Sequence, residues 1–242
     1  MIAQLAAAIA FLTRLPVGRN SAFDAKQVGR SARWFPLVGA LLGGIYVAAL
    51  RLLIPFFPAL VTAVILIALD AALTGAMHFD GLADTADGFG GGRSREDVLR
   101  IMRDHAIGAY GAVALVLLIA LKIAAISALS DSRWAVSALL LAPVLGRWSA
   151  VLLSATGTYA RQDSPVRFVG PTELIIATLT ALACGIAAAR WQGAAALLLV
   201  ALATAWWGWR CRRRIGGITG DTLGAGVEMS ECLVLLLFTA LR

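Results

Sequence analysis

Charge is scarce in this sequence. Only 14% of its 242 residues are Asp, Glu, Lys or Arg, and 60% are apolar. A soluble domain ordinarily carries about 25% charged residues and is less than half apolar, so the composition argues against a soluble globular fold. Cysteine is nearly absent as well. Cys184, Cys211 and Cys232 stand far apart, with no Cys-x-x-Cys pair and no neighbouring His, which disfavours a thiolate metal site or a disulfide framework. The start lacks a cleavable-signal pattern: the apolar stretch Ile2 to Leu12 is short, has no basic leader and runs into Arg14. It is expected to be an interfacial or partly inserted helix. Internal repeats and low-complexity tails are also missing.

What the chain does have is long apolar runs. Segments near the length needed to cross roughly 30 Å of hydrocarbon extend from Leu37 to Ile54, Ala59 to Met77, Ala109 to Leu129, Trp134 to Ser154, Thr172 to Ala189 and Gly193 to Trp209. A shorter one runs from about Met229 to Leu241, and its start falls at or inside the polar stretch that begins at Gly216. The expected fold is all-α, a polytopic transmembrane helix bundle of about seven spans. Gly39 and Gly43 form a small-xxx-small pair suited to helix packing.

The net charge of +7 is distributed by loop. Arg14, Arg19, Lys26, Arg30 and Arg33, then Arg93, Arg95, Arg100 and Arg103, then Arg161 and Arg167, then Arg210 and Arg212 to Arg214 fall on one side of the alternation. Arg133, Arg190 and Arg242 fall on the other. Lys and Arg concentrate in cytoplasmic loops, which places the first set and the N-terminus inside and the C-terminus outside. The outer connections are very short, so catalytic apparatus belongs on the cytoplasmic face. The chain reads as a single integral membrane domain over 1–242. Within it, 1–36 is a cytoplasmic or interfacial segment, 78–108 a cytoplasmic catalytic loop and 210–230 a second cytoplasmic acidic motif.

Two acidic groups carry the chemistry. In His78-Phe-Asp-Gly-Leu-Ala-Asp-Thr-Ala-Asp-Gly88, Asp80, Asp84 and Asp87 recur at i, i+4 and i+7, one face of a helix. Stacked carboxylates repel, and hard oxygen donors favour magnesium, manganese or calcium over zinc; these three are the metal-site candidates. His78 suits an outer-shell partner or an interfacial side chain. The following Gly88-Phe-Gly-Gly-Gly-Arg93 offers converging amides for an anion. Arg93, Arg95, Arg100 and Arg103, with Asp104, form a candidate diphosphate clamp. The later group, Asp221, Glu228 and Glu231, again shares one helical face and enters a span. Carboxylates there are functional by default; with Asp87 they are the catalytic candidates. Lys122 and Arg147 lie inside apolar spans, either functional or paired with an acid such as Asp70. A basic mouth around carboxylates suits transfer of a phosphate-linked group. It suits nucleic acid poorly, because no aromatic stacking platform stands on a soluble face.

Several stretches together resemble the adenosylcobinamide-GDP ribazoletransferase, or cobalamin synthase, family. They are Phe11-Leu-Thr-Arg-Leu-Pro16, Trp34-Phe-Pro-Leu-Val-Gly39, the His78 to Gly88 element, Ile101-Met-Arg-Asp104 with Ile107-Gly-Ala-Tyr-Gly111, and Gly217-Ile-Thr-Gly-Asp-Thr-Leu-Gly-Ala225 through Glu228 and Glu231. The resemblance implies transfer of the cobinamide phosphate of adenosylcobinamide-GDP to α-ribazole or its 5′-phosphate, with release of GMP. It implies magnesium as cofactor, with Asp80, Asp84 and Asp87 at the metal positions. It also implies a bacterial inner-membrane location among membrane lipid, and leaves a homo-oligomer open. Tyr159-Ala-Arg-Gln-Asp-Ser-Pro165 departs from the family pattern by lacking a Gly after Tyr-Ala-Arg, and His105-Ala106 fills a variable place. The motif is also similar to Asp-Gly elements of the CDP-alcohol phosphotransferases, but Asp80-Gly-Leu-Ala-Asp84 lacks their Asp-Gly-x-x-Ala-Arg run. A cation-coupled transporter would want acids at span centres and paired repeats.

Overall fold

The computed structural model of the chain describes residues 2–17, 25–160 and 169–242. Arg19, Arg161 and Arg167, counted above among the basic loop residues, lie outside the described residues, as does most of the 159–165 stretch. Among the described residues, ten α-helices and one short 3-10 helix, Ala32–Trp34, follow one another, and there is no strand beyond an isolated bridge between Tyr159 and Ile218. The α-helices are α1 (Ile2–Leu12), α2 (Ala25–Ser31), α3 (Phe35–Leu53), α4 (Ala59–Thr74), α5 (Met77–Gly91), α6 (Arg95–Ile101), α7 (Ala109–Leu129), α8 (Ala135–Thr156), α9 (Pro171–Ile215) and α10 (Gly220–Ala240). Among the described residues, five helices are long and apolar enough to cross a membrane, or six if the bent pair α4–α5 is counted as one span. The protein is thus an all-helical, multi-pass membrane bundle.

Breaks in the helices have local causes. Gly75, at φ 66°, ends α4 in the left-handed conformation, where an absent Cβ removes the steric cost. Ala76 follows at φ 57°, and α5 leaves at 92° to α4. The Asp-rich segment is therefore taken off the line of the span. Residues 78–108, expected as the catalytic connection between spans with its aspartates on a helical face, are mostly helical: α5 and then α6, which Ser94 caps by accepting from the Asp97 amide at 3.1 Å. Within the 45 residues of α9 the dihedrals leave the helical region at Ala189 and Arg190. The backbone of Gly185 then abuts Gly193. Residues eight apart on a straight helix are about 12 Å apart, so the chain doubles back here, where the sequence placed a short connection between two runs.

The bundle is organised around α8. Of its candidate span, 83% is buried, against 22% for α7, whose Val113, Val116, Leu117 and Leu121 face outward. Gly39 and Gly43 let α3 lie directly on α8; a Cβ at Gly43 would stand 2.7 Å from the Leu140 Cα. The small-residue pair thus does what its spacing suggested, bringing two backbones together. The last helix begins at Gly220 rather than near Met229, with the Thr219 hydroxyl accepting from the Thr222 amide at 3.2 Å. That early start puts Asp221, Glu228 and Glu231 on one continuous helix.

Candidate active site at the crossing of α5 and α10

The site is made by two helices that touch through glycine. A Cβ at Gly81 would lie 2.8 Å from the Asp221 carbonyl oxygen, and one at Gly224 would lie 3.3 Å from the His78 Cα. With no side chain at either point, the backbones approach until Asp221 stands beside the Asp face of α5. The three aspartates differ in depth along that face: Asp80 is exposed, Asp84 half-buried and Asp87 buried. Burial, and then the charges of Asp80, Asp221 and Asp87, push the Asp84 carboxyl up to about 6. The cause is direct, since ionising a carboxyl among like charges at a desolvated edge is unfavourable. The structure therefore gathers Asp80, Asp84, Asp87 and Asp221 into one electrostatic unit, joining part of the second acidic motif to the first.

Asp87 has a role that its spacing did not suggest. Its Oδ2 accepts from the Gly108 amide at 2.8 Å and its Oδ1 from the Gly111 amide at 2.9 Å. These are N–H groups of the first turn of α7, which have no intrahelical acceptor, so Asp87 caps α7 from another helix. Both glycines of Gly108-Ala-Tyr-Gly111 are required by this contact: a Cβ at Gly108 would meet Asp87 Oδ1 at 2.5 Å, and one at Gly111 would press on Oδ2.

The glycine run and the arginines are arranged differently from expectation. Gly88 to Gly91 form the last turn of α5, so their amides serve the helix rather than an anion. The glycines admit neighbours instead: Gly88 faces Met102 and Val98, Gly90 the Tyr110 ring, and Gly92 Val98. Arg95 donates to the Ile215 carbonyl at 2.8 Å and to the Ala160 carbonyl at 2.5 Å. Arg214 donates to the Phe89 and Gly92 carbonyls. These two side chains tie α5 and α6 to the end of α9. Arg100 pairs with Asp97 at an exposed position. Asp104 accepts from the Ala106 amide at 3.1 Å in an exposed turn. Arg93 and Arg103 are exposed.

Glu228 and Glu231 do not join Asp221 at this mouth. They are 1% and 3% exposed, inside the bundle, where Lys122 Nζ reaches Glu231 at 2.7 Å, Glu228 at 2.9 Å and Asp70 at 3.4 Å. Arg147 pairs with the other oxygen of Glu231, and the Tyr46 hydroxyl donates to Asp70 at 2.6 Å. Among the described residues, the carboxylates whose oxygens gather within 4.8 Å are these three, Asp70, Glu228 and Glu231, and not the aspartates of α5. As a metal site the trio is unpersuasive, because the Lys122 ammonium already stands where a cation would. The pairing of Lys122 with Asp70 was legible as one of two readings. The share taken by Glu228 and Glu231 was not, because helix spacing alone groups them with Asp221. An apolar groove lined by Leu118, Trp206, Trp207 and Met229 opens elsewhere on the bundle and does not include the acidic residues.

Comparisons with known proteins agree along the whole chain. The cobalamin-5-phosphate synthase family profile matches residues 4–239. A Klebsiella pneumoniae protein named adenosylcobinamide-GDP ribazoletransferase is 39% identical over 98% of this chain and 99% of its own length. A Pseudomonas aeruginosa protein of the same name is 42% identical over 96% of each, and one from Ralstonia pickettii is 39% identical over 94% and 91%. No solved structure matches the chain.

Proposed function

The chain belongs to the cobalamin-5-phosphate synthase family, and from that premise we propose that it is an adenosylcobinamide-GDP ribazoletransferase working at the crossing of α5 and α10. The reaction joins a ribose hydroxyl oxygen of α-ribazole, or of α-ribazole 5′-phosphate with its 5′-phosphate left intact, to the phosphorus that bears cobinamide. The bond from that phosphorus to the bridging oxygen breaks, and GMP leaves with that oxygen. The product is adenosylcobalamin or its 5′-phosphate.

The observation that carries the assignment of the site is the apposition of Asp221 with Asp80 and Asp84 across the Gly81–Gly224 contact. Magnesium fits this donor set. All the side-chain donors are hard oxygens, and the repulsion from Asp80, Asp221 and Asp87 that adds to burial in raising Asp84 is the kind a divalent cation relieves. Asp80, Asp84 and Asp87 would hold the ion, with Asp221 facing them. When bound, it would neutralise charge developing on the transferring phosphate. Asp87, fixed by two amides, sets the orientation of its oxygens before substrate arrives. Asp221 orients the attacking ribose hydroxyl and takes its proton with either acceptor, since an alcohol ionises little unaided. Arg93 and Arg103 on the rim meet the diphosphate, with Arg100 and Asp104 beside them. Arg95 acts by shaping the rim, which its two backbone bonds support. Glu228 and Glu231 are engaged by cations, which favours Asp221 as the base.

The Arg-rich side of the loop alternation supports an active face toward the cytoplasm of a bacterial inner membrane. The assay is incubation of membranes containing the protein with adenosylcobinamide-GDP and α-ribazole, with and without magnesium. Formation of cobalamin and GMP only with magnesium is expected. Absence of both products under every condition refutes the activity, and equal rates in chelator refute the metal.

A further inference from the structure

One ammonium reaches every helix that carries the acidic site. Lys122, on α7 and 2% exposed, bonds Glu231 and Glu228 of α10 and Asp70 of α4. Its Nζ also sits 5.2 Å from the ring centroid of Phe79 on α5, the residue before Asp80. The same α7 begins with the two amides that hold Asp87. The two anchor points lie roughly 20 Å apart along the helix axis, so α7 is a strut fixed to α5 at its start and to α4, α5 and α10 at Lys122. Arg147 of α8 holds the second oxygen of Glu231, and Tyr46 of α3 the second oxygen of Asp70. With both carboxylates held at each oxygen, α10 can neither rotate nor slide without breaking a buried ion pair.

We propose that Lys122 is a positioning residue for the transferase reaction: it fixes the rotation and depth of α10 against α5, and through them the distance of Asp221 from Asp80 and Asp84. This rests on the assignment of the site given above. A buried pair gains little in stability over apolar side chains of equal volume, but breaking one partner leaves an uncompensated charge. That is the signature of a device for geometry. Near-attack alignment is sensitive to shifts of about 1 Å, which can lower turnover by about a hundredfold.

The test uses the purified full chain in detergent. Lys122→Met by itself would leave three carboxylates against Arg147 alone. The deciding variant is the charge-balanced Lys122→Met with Glu228→Gln, which removes one charge of each sign. We expect it to fold, to lose about tenfold or more in kcat, and to keep KM for adenosylcobinamide-GDP within about threefold. Spin labels at Ala86→Cys on α5 and Leu223→Cys on α10, with the native cysteines replaced by alanine, should show a broadened or shifted separation in the double variant. A folded double variant with normal kcat and an unchanged label distance overturns the proposal. A double variant that does not fold also overturns it, since Lys122 is then a folding residue. Asp84→Asn is measured alongside: if it retains full turnover, the site assignment itself falls, whereas an inactive Asp84→Asn beside a fully active double variant removes only the role of Lys122.

Discussion

Asp87→Asn exchanges one carboxylate oxygen for an amide nitrogen at almost constant volume, and the geometry identifies the bond that is lost. Two backbone N–H groups point at Asp87, one on each oxygen, at 2.8 and 2.9 Å. Asn keeps a single acceptor. Its NH2 then confronts the second N–H, donor against donor, in a site that is buried. Leaving a buried donor unsatisfied costs about 1–3 kcal/mol. Removing a negative charge from the start of α7 costs about 0.3–1 kcal/mol more. For a chain of this size about 1 kcal/mol moves a melting midpoint by 2–4 °C, so a drop on the order of 5–10 °C is expected. Asp80→Asn, at an exposed position, should shift the midpoint by less than about 2 °C, as surface substitutions do. Tryptophan fluorescence of the detergent-purified protein during heating measures both. If Asp87→Asn melts with the wild type while losing turnover like Asp80→Asn, Asp87 is a ligand alone and its capping of α7 contributes nothing.

Four other outcomes are expected. Asp80→Asn and Asp84→Asn should each lower turnover by about a hundredfold or more, and at least one should need more magnesium; near-normal rates at low magnesium in both would remove the metal assignment. Asp84 is raised to about 6 and must be ionised to hold a cation, so at low magnesium the rate should fall as pH drops through about 6. Asp80→Asn removes a neighbouring charge and should move that limb to lower pH in whatever turnover remains; an upward move contradicts the electrostatic account. Asp221→Asn should cut turnover while leaving adenosylcobinamide-GDP binding within a few-fold, and loss of binding would reassign Asp221 to substrate. Cysteines at Glu96 and Asp131 should label from opposite sides of the membrane, with Glu96 cytoplasmic; labelling from one side breaks the orientation.

Much of the candidate site was legible because helix periodicity is a local property. Asp80, Asp84 and Asp87 could be placed on one face from spacing alone, and they do lie on α5. The glycines were harder to read. Gly88 to Gly92 suggested an anion-binding turn, but a glycine also permits close packing, and only the positions of Met102, Val98 and Tyr110 tell which use applies. Arginine charge was visible, yet Arg95 and Arg214 spend theirs on backbone carbonyls of distant segments. Such partners are far away in sequence and leave no local pattern.

By itself the sequence determined what depends on composition and short spacing: a multi-helix membrane protein, its apolar segments, an acidic motif with its aspartates on one helical face, and a family resemblance that runs nearly from end to end. Hydrocarbon imposes this, since a backbone crossing it must satisfy its own hydrogen bonds within each helix. The tertiary structure decided which acids meet. Spacing placed Asp221, Glu228 and Glu231 on one face of α10, and all three are on that helix. The 92° turn after Gly75 lays α5 across the start of α10, where Gly81 admits Asp221. Two turns deeper, α10 meets Lys122 and Arg147 instead. The same face therefore passes from a solvent-facing carboxylate site to a buried ion network, because its neighbours change along its length.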